Sequence, residues 1–241
     1  MDPVEENGGL WHLSPSTAKW QFVPTQSATF PAARSYHALV SDGESTLYLH
    51  AGCPTKGRLS DLWAFDIPSS TWTELASAPG PARGGTSIAY HDGLLYRMGG
   101  FDGSNEQGGS LDVYDTKSNT WQSLTFAPDG MTGPEARSVA ALLALKTPAG
   151  KRILVTMFGE RDPSSLGHAG AGKMLGDVWA YGIESNVWTK VAFDAQAEHP
   201  APRGWFDADI IEQQDRDAIV VHGGLAEQNT RLGDVWKMEF N

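Results

Sequence analysis

The chain has a single cysteine, Cys53, so an intrachain disulfide is excluded and no cysteine cluster can hold a metal. Such sparing use of thiols fits a reducing compartment, and the cytoplasm is the expected location. Positive charge is scarce too: 18 Lys and Arg against 29 Asp and Glu leave a formal net charge of −11. That balance argues against a nucleic-acid partner and against binding to an anionic membrane surface, since both reward excess cations. Long apolar runs are missing. The longest, Val139–Leu145, falls far short of the roughly 20 residues a bilayer needs. The leading segment Met1–Pro15 is acidic and lacks the basic-then-apolar order of a signal peptide. No G-x-S-x-G elbow, P-loop or dinucleotide fingerprint occurs.

What the chain has is aromatic and apolar mass in a repeating pattern. With 40% hydrophobic residues and nine tryptophans in 241 residues, it can fill the core of one all-β domain spanning 1–241. Self-similarity at a period of about 50 residues points to propeller blades. Four stretches, Arg34–Leu75, Arg83–Leu124, Arg137–Val191 and Arg203–Phe240, each open on an Arg after a Pro-containing turn. Each continues into a β-rich strand that ends in glycine (LYLHAGC, LLYRMGG, ILVTMFG, IVVHGG). A third strand carrying Asp and aromatics and a fourth carrying Trp follow, as in DLWAFDIPSSTWTEL, LDVYDTKSNTWQSL and DVWAYGIESNVWTKV. The fixed offset of Trp72, Trp121 and Trp188 predicts core positions that cover the neighbouring blade.

The ends are partial. Leu10–Val23 reads as a third and fourth strand without a first and second, and Arg203–Phe240 stops after its third strand. The expected fold is therefore an all-β propeller of four-stranded blades, incomplete, with three full blades and two pieces at about 10–23, 34–75, 83–124, 137–191 and 203–240. The strand of Trp20 is a candidate to complete the last blade, since propellers often close by pairing their termini. Open edges also predict self-association.

These repeats resemble the kelch superfamily. Three segments extend the likeness to plant specifier proteins (epithiospecifier, nitrile-specifier and thiocyanate-forming) and their fungal kelch relatives. They are GPEARSV at 133–139, FGERDPSSLGHAGAG at 158–172, and PRGWFDA with VVHGGLAEQNTRLGDVW between 202 and 236. The resemblance implies a six-bladed propeller that uses Fe(II) to steer a sulfur-containing aglycone toward nitriles, epithionitriles or thiocyanates. Against that pattern this chain begins about halfway through the second blade. The family's iron motif is Glu, three residues, Asp, three residues, His. Glu160 and His168 match it, Pro163 and Gly167 match its internal punctuation, and Ser164 stands in the Asp position. Asp162, two residues away, is the candidate substitute. Mixed imidazole and carboxylate ligands suit Fe(II) with open positions; the competing reading is a surface loop in which Glu160 and His168 only form hydrogen bonds.

The four repeat-leading arginines, Arg34, Arg83, Arg137 and Arg203, are expected near the central axis. There they either converge on a small anionic molecule, because guanidinium forks suit carboxylates and sulfates, or bridge the blades through loop carbonyls and neighbouring Asp. Trp205 matches a tryptophan of the specifier pocket, and Tyr36 and Phe206 extend an aromatic wall beside it. Two functions follow. One is a specifier-like small-molecule site, an iron-dependent lyase if it is an enzyme. The other is a non-enzymatic scaffold that presents loops to a protein partner.

Overall fold

The computed structural model describes residues 3–166, 170–194, 196–214 and 216–240. Among these residues no helix is long and apolar enough to cross a membrane. The secondary structure is β throughout. A hairpin of β1 (Leu10–Ser14) and β2 (Lys19–Val23) leads into β3 (Ala38–Ser41), β4 (Thr46–Gly52), β5 (Leu59–Asp66) and β6 (Thr71–Leu75). The next four strands are β7 (Ser87–His91), β8 (Leu94–Met98), β9 (Ser110–Asp115) and β10 (Thr120–Thr125). Strands β11 (Ala141–Lys146) and β12 (Arg152–Met157) follow. A small hairpin of β13 (Glu160–Arg161) and β14 (Lys173–Met174) then precedes β15 (Val178–Gly182) and β16 (Val187–Val191). The last three are β17 (Asp207–Ile211), β18 (Ala218–Leu225) and β19 (Arg231–Glu239).

Each repeat is one antiparallel sheet. The orders β3-β4-β5-β6, β7-β8-β9-β10 and β11-β12-β15-β16 are complete blades, and β17-β18-β19 is a blade of three strands. The expected count of three full blades and two pieces holds. The expected partner of Trp20 does not: among the described residues β2 pairs with β1 alone, and the hairpin's Leu10 and Val23 pack with Phe30 on the core of the first full blade. The hairpin pairs only its inner edges, and its residues Trp11 and Trp20 are exposed.

The first strand of every blade borders one central groove, with residues of β3, β7, β11 and β17 on its walls. The seam between blades is built from backbone. The closing glycine of a second strand donates to the carbonyl of the next blade's leading Arg, in the bonds Gly52 to Arg83 (3.0 Å), Gly100 to Arg137 (2.8 Å) and Gly159 to Arg203 (2.8 Å). Glycine is required there. At Gly159 the backbone has φ +102°, and a Cβ would stand 2.7 Å from the Ser138 carbonyl oxygen. The fourth-strand tryptophans cover the seam on the outside. Trp72 donates to Gly8 O (2.7 Å) and Trp121 to Ala76 O (2.8 Å), while Trp188 packs on Phe126, each reaching the preceding blade. Trp72 and Trp188 are buried and Trp121 is half-buried, so the core assignment read from their spacing is met.

Candidate functional site

After each leading Arg the chain makes the same kink. The next residue forms an antiparallel bridge to the residue that follows the closing glycine of the second strand, pairing Ser35 with Cys53, Gly84 with Phe101, Ser138 with Glu160, and Gly204 with Leu225. The residue after that is left-handed in all four blades: Tyr36 (φ 54°), Gly85 (61°), Val139 (46°) and Trp205 (60°). Backbone bonds link these four in turn, Gly85 to Tyr36 O (2.9 Å), Val139 to Gly85 O (2.8 Å) and Trp205 to Val139 O (3.1 Å). Left-handed φ is costly for non-glycine residues, and β-branched Val139 is the extreme case. This strain is held in place by three independent backbone bonds.

Tyr36, Gly85, Val139 and Trp205 border one cavity of about 380 Å³ at the mouth of the central channel, together with Cys53, Arg58, Phe101, Glu106, Ser138, Glu160 and Ser164. Tyr36 and Trp205 meet edge to face with ring centroids 5.4 Å apart. The aromatic wall expected from Tyr36 and Trp205 is therefore present; Phe206 packs edge-on against Phe158 and borders, with Tyr36 and Trp205, a smaller adjoining depression rather than this cavity. Arg58 lies 5.9 Å from the Phe101 ring centre and donates to Gly57 O (3.0 Å). Both carboxylate oxygens of Glu106 are shielded from solvent, and neither has a hydrogen-bond partner of normal geometry among the described residues. Burial pushes this carboxyl up to about 8. The charges of Glu160, Asp102 and Asp162 add to the rise, and the Ser138 side chain offsets part of it. Burial likewise raises the Cys53 thiol, against the pull of Arg58.

The four repeat-leading arginines are not on the cavity wall. Arg34 binds Asp61 through two bonds (2.6 and 2.8 Å), Arg137 binds Asp177 (2.9 and 3.1 Å), and Arg203 binds Asp234 (2.7 and 2.8 Å). Each Asp also accepts the indole N–H of the Trp two residues on, Trp63, Trp179 or Trp236, at 2.6 to 2.8 Å. The three guanidinium groups are at most 3% exposed and already neutralised by a carboxylate. Arg83 differs. Ser110 and Asp112 stand where the other blades have Asp and Trp, and Asp112 is taken by Arg97. Among the described residues Arg83 therefore bonds to the carbonyls of Gly99, Pro81 and Gly80 and to no carboxylate, and burial followed by the charge of Arg97 lowers it to about 10. Of the two readings of the arginine set, the geometry matches blade bracing. Arg83, Arg137 and Arg203, offered as the groups that hold an anion, have their donors directed into their own blades.

The iron-motif loop runs between β13 and β14. Glu160 is 6% exposed, borders the cavity, and accepts the Gly172 N–H at 2.5 Å. Ser164 borders the same cavity and accepts the Leu166 N–H (3.1 Å). Asp162, the candidate substitute ligand, is 75% exposed and lies 3.6 Å from Arg161, which also pairs with Glu135. His168 and Gly167 lie outside the described residues. Among the described residues near the cavity, Fe(II) would find one buried carboxylate, already bonded to a backbone amide, and one neutral hydroxyl. No group of three His, Cys, Asp or Glu among the described residues is placed to hold a metal. These residues do not by themselves make an Fe(II) ligand set, which needs several N and O donors converging on one point.

Sequence reasoning missed Glu106, Arg58, Phe101 and the cavity-facing placement of Cys53. Their loops read as ordinary polar connections. The available signal was positional: Cys53 and Phe101 follow the glycine of the second strand as Glu160 does.

Among curated proteins, the chain is 26% identical over 235 residues to N-(sulfonatooxy)prop-2-enimidothioate sulfolyase of Thlaspi arvense, covering 88% of this chain and 64% of that protein. It is 24% identical to the leucine-zipper-like transcriptional regulator 1 homolog of Drosophila melanogaster (92% of this chain, 21% of that one). It is 26% identical to the Kelch-like protein terF of Aspergillus terreus (88% and 43%). The chain spans less than two thirds of the length of each of these relatives. The KLHDC2/KLHL20/DRC7 Kelch-repeats domain matches residues 3–159, so the blades just described are kelch repeats and the chain belongs to that family.

Proposed function

We propose that the chain is a small-molecule-binding kelch propeller and that its site is the channel-mouth cavity, specifier-like in position. The observation that carries this reading is the cavity itself. It combines an aromatic pair, Tyr36 and Trp205, with a buried carboxylate at Glu160 and a half-buried one at Glu106, and its lining is fixed by strained backbone. Concave, largely apolar sites with a few convergent polar groups are the usual form of small-molecule sites. A scaffold that only presents loops needs none of this. The likeness to a sulfolyase supports the same position for the site, while Arg83, Arg137 and Arg203 direct their donors into their own blades rather than toward a bound anion.

The test is a fragment screen by ligand-observed NMR on the full chain, with Trp205→Ala as control. Hits that saturate one site and disappear in the variant are expected. Hits indifferent to Trp205, or none, overturn the reading and favour the protein-interaction scaffold. Fe(II) is a separable extension, carried by the resemblance at Glu160, Ser164, Asp162 and His168. Anaerobic calorimetric titration decides it: saturable one-site binding lost in Glu160→Ala and His168→Ala would add an iron-dependent, specifier-like activity on a sulfur-containing molecule. Absence of binding leaves a metal-free site.

A further inference from the structure

We propose that the outer face of the β1–β2 hairpin is a self-association surface, through which two copies of this chain pack hairpin to hairpin into a symmetric dimer. The inference does not depend on the cavity reading.

The surface has the chemistry of a blade seam. In the first full blade, Trp63, Phe65 and Trp72 are 7%, 2% and 6% exposed and are covered by Leu10, Val23 and Phe30. Phe65 stands opposite Trp72 in that sheet. The hairpin repeats the pattern, with Leu13 opposite Trp20 and Trp11 opposite Phe22. Side chains alternate along a strand, so these four share one face and Leu10 and Val23 turn the other way, onto the first full blade. The four are 42%, 64%, 55% and 39% exposed in that order, and the rings of Trp11 and Phe22 lie 5.2 Å apart. A contiguous apolar face of this kind marks an interaction surface, whereas scattered exposed apolar residues do not.

Two surfaces of a second copy could cover it, the far end of the chain or the same hairpin, and charge separates them. On the last blade, Ala208, Ile210, Trp236 and Met238 pack on the preceding blade. The alternate residues face outward: Asp207, Asp209, Lys237 and Glu239 are exposed around Ile211 and Val235. Pressing that face onto Trp11 and Trp20 would strip water from three carboxylates against rings that cannot replace it. The hairpin face has no formal charge among its four residues, so it is compatible with itself. Charges lie at its two ends, where Glu6 accepts the Trp11 indole N–H (3.3 Å) and Lys19 closes the strand pairing at the turn. Packed antiparallel about a two-fold axis, each copy brings its Glu6 to the Lys19 end of the other. Large aromatics bury about 150–250 Å² each, so at these exposures the four side chains offer on the order of 400 Å² per copy. Twice that area falls short of the roughly 1,200 Å² at which standard stable interfaces begin, which makes a dimer that dissociates on dilution.

Sedimentation equilibrium of the full chain from about 5 to 500 µM tests this. The weight-average mass should climb from 26.0 kDa toward twice that value and stop there. Trp11→Ser combined with Trp20→Ser should hold the chain at the monomer mass throughout. Both side chains are more than half exposed, and a thermal melt checks that the variant folds. Should it not, Leu13→Lys, a single change on the same face, must give the same loss of dimer. Val235→Lys, on the outward face of the last blade, should leave the dimer unchanged. A monomer across the whole range, or a dimer indifferent to the hairpin substitutions, overturns the proposal. So does mass that grows beyond the dimer and is lost in Val235→Lys, the mark of head-to-tail stacking.

Discussion

Asp177→Asn is the substitution that tests the arginine braces most directly. The Arg137 guanidinium is 1% exposed and held by Asp177 through two bonds, by the Phe158 carbonyl (3.0 Å) and by the Glu135 carbonyl (3.0 Å). Asp177 in turn accepts the Trp179 indole N–H at 2.7 Å. Burial works to raise the Asp177 carboxyl, but the bonds and charge of Arg137 and the Trp179 N–H outweigh it and hold it below the usual carboxylate range. Asn preserves the shape and removes the charge. It also turns one oxygen into an NH2 group, which confronts the guanidinium alone at Oδ1 or both the guanidinium and the indole N–H at Oδ2, so at least one donor loses its acceptor whichever way the amide is set.

Breaking a buried pair by removing one partner costs about 3 to 5 kcal/mol. Two carbonyls remain on Arg137, which places the expected loss near the lower end, about 3 kcal/mol. Urea denaturation followed by tryptophan fluorescence should show the midpoint fall with an unchanged slope. The double variant Arg137→Met with Asp177→Leu should recover at least about half of the loss, because no charge is then left buried alone. A loss under about 1 kcal/mol for Asp177→Asn would refute the brace. The anion-receptor role makes the opposite forecast: the same substitution would leave stability intact and tighten sulfate binding by freeing the guanidinium.

Other consequences follow from the same geometry. His50 is fully buried with Nδ1–H donating to Asp61 O (2.7 Å) and Nε2 facing the Arg97 guanidinium (3.4 Å). Burial and then the Arg97 charge lower it to about 3. Its neutral form contributes stability that is fully present above about pH 6.5 and is lost as the pH falls toward 3, so its 15N shifts should remain those of the neutral Nδ1–H tautomer at pH 5; a titration midpoint near 6.5 would contradict this. Glu106 has the opposite sign. Its carboxyl is raised from 4.5 to about 8, so the folded state holds the proton and stability falls as pH rises through that interval. Glu106→Gln should therefore raise the melting temperature at pH 9 by several degrees and change it little at pH 4, and equal shifts at both would count against the burial argument. Gly159→Ala, with its Cβ forced toward the Ser138 carbonyl at φ +102°, should cost about 3 kcal/mol or prevent folding, whereas a loss below about 1 kcal/mol would mean that the seam can relax. The outer edges of β1 and β19 carry exposed Trp11 and Val235. Sedimentation should show concentration-dependent association, and a strict monomer at high concentration would rule it out.

The fold was legible because each blade repeats local chemistry: a glycine where the seam needs a bare backbone, a tryptophan where the fourth strand must cover its neighbour, an Arg where the next strand begins. Such requirements act at fixed sequence offsets and leave a period. The site obeys a different logic. Tyr36, Gly85, Val139 and Trp205 occupy one structural position, yet their side chains share nothing, because the backbone fixes the kink and leaves the side chain free to vary. Arg137 and Asp177 are 40 residues apart and their pairing leaves no local signature, so a repeated arginine read equally well as a receptor or as a brace. Glu106 was the least visible, since its meaning lies in what surrounds it, a cavity wall contributed by several blades. A repeat fold advertises what every blade must do; what one cavity does is written where the blades differ. In the second blade the Arg83 brace has lost its Asp, and the following loop places Glu106 in the cavity. That blade, more than the loop carrying Glu160, is where substitutions should change ligand preference without changing the fold.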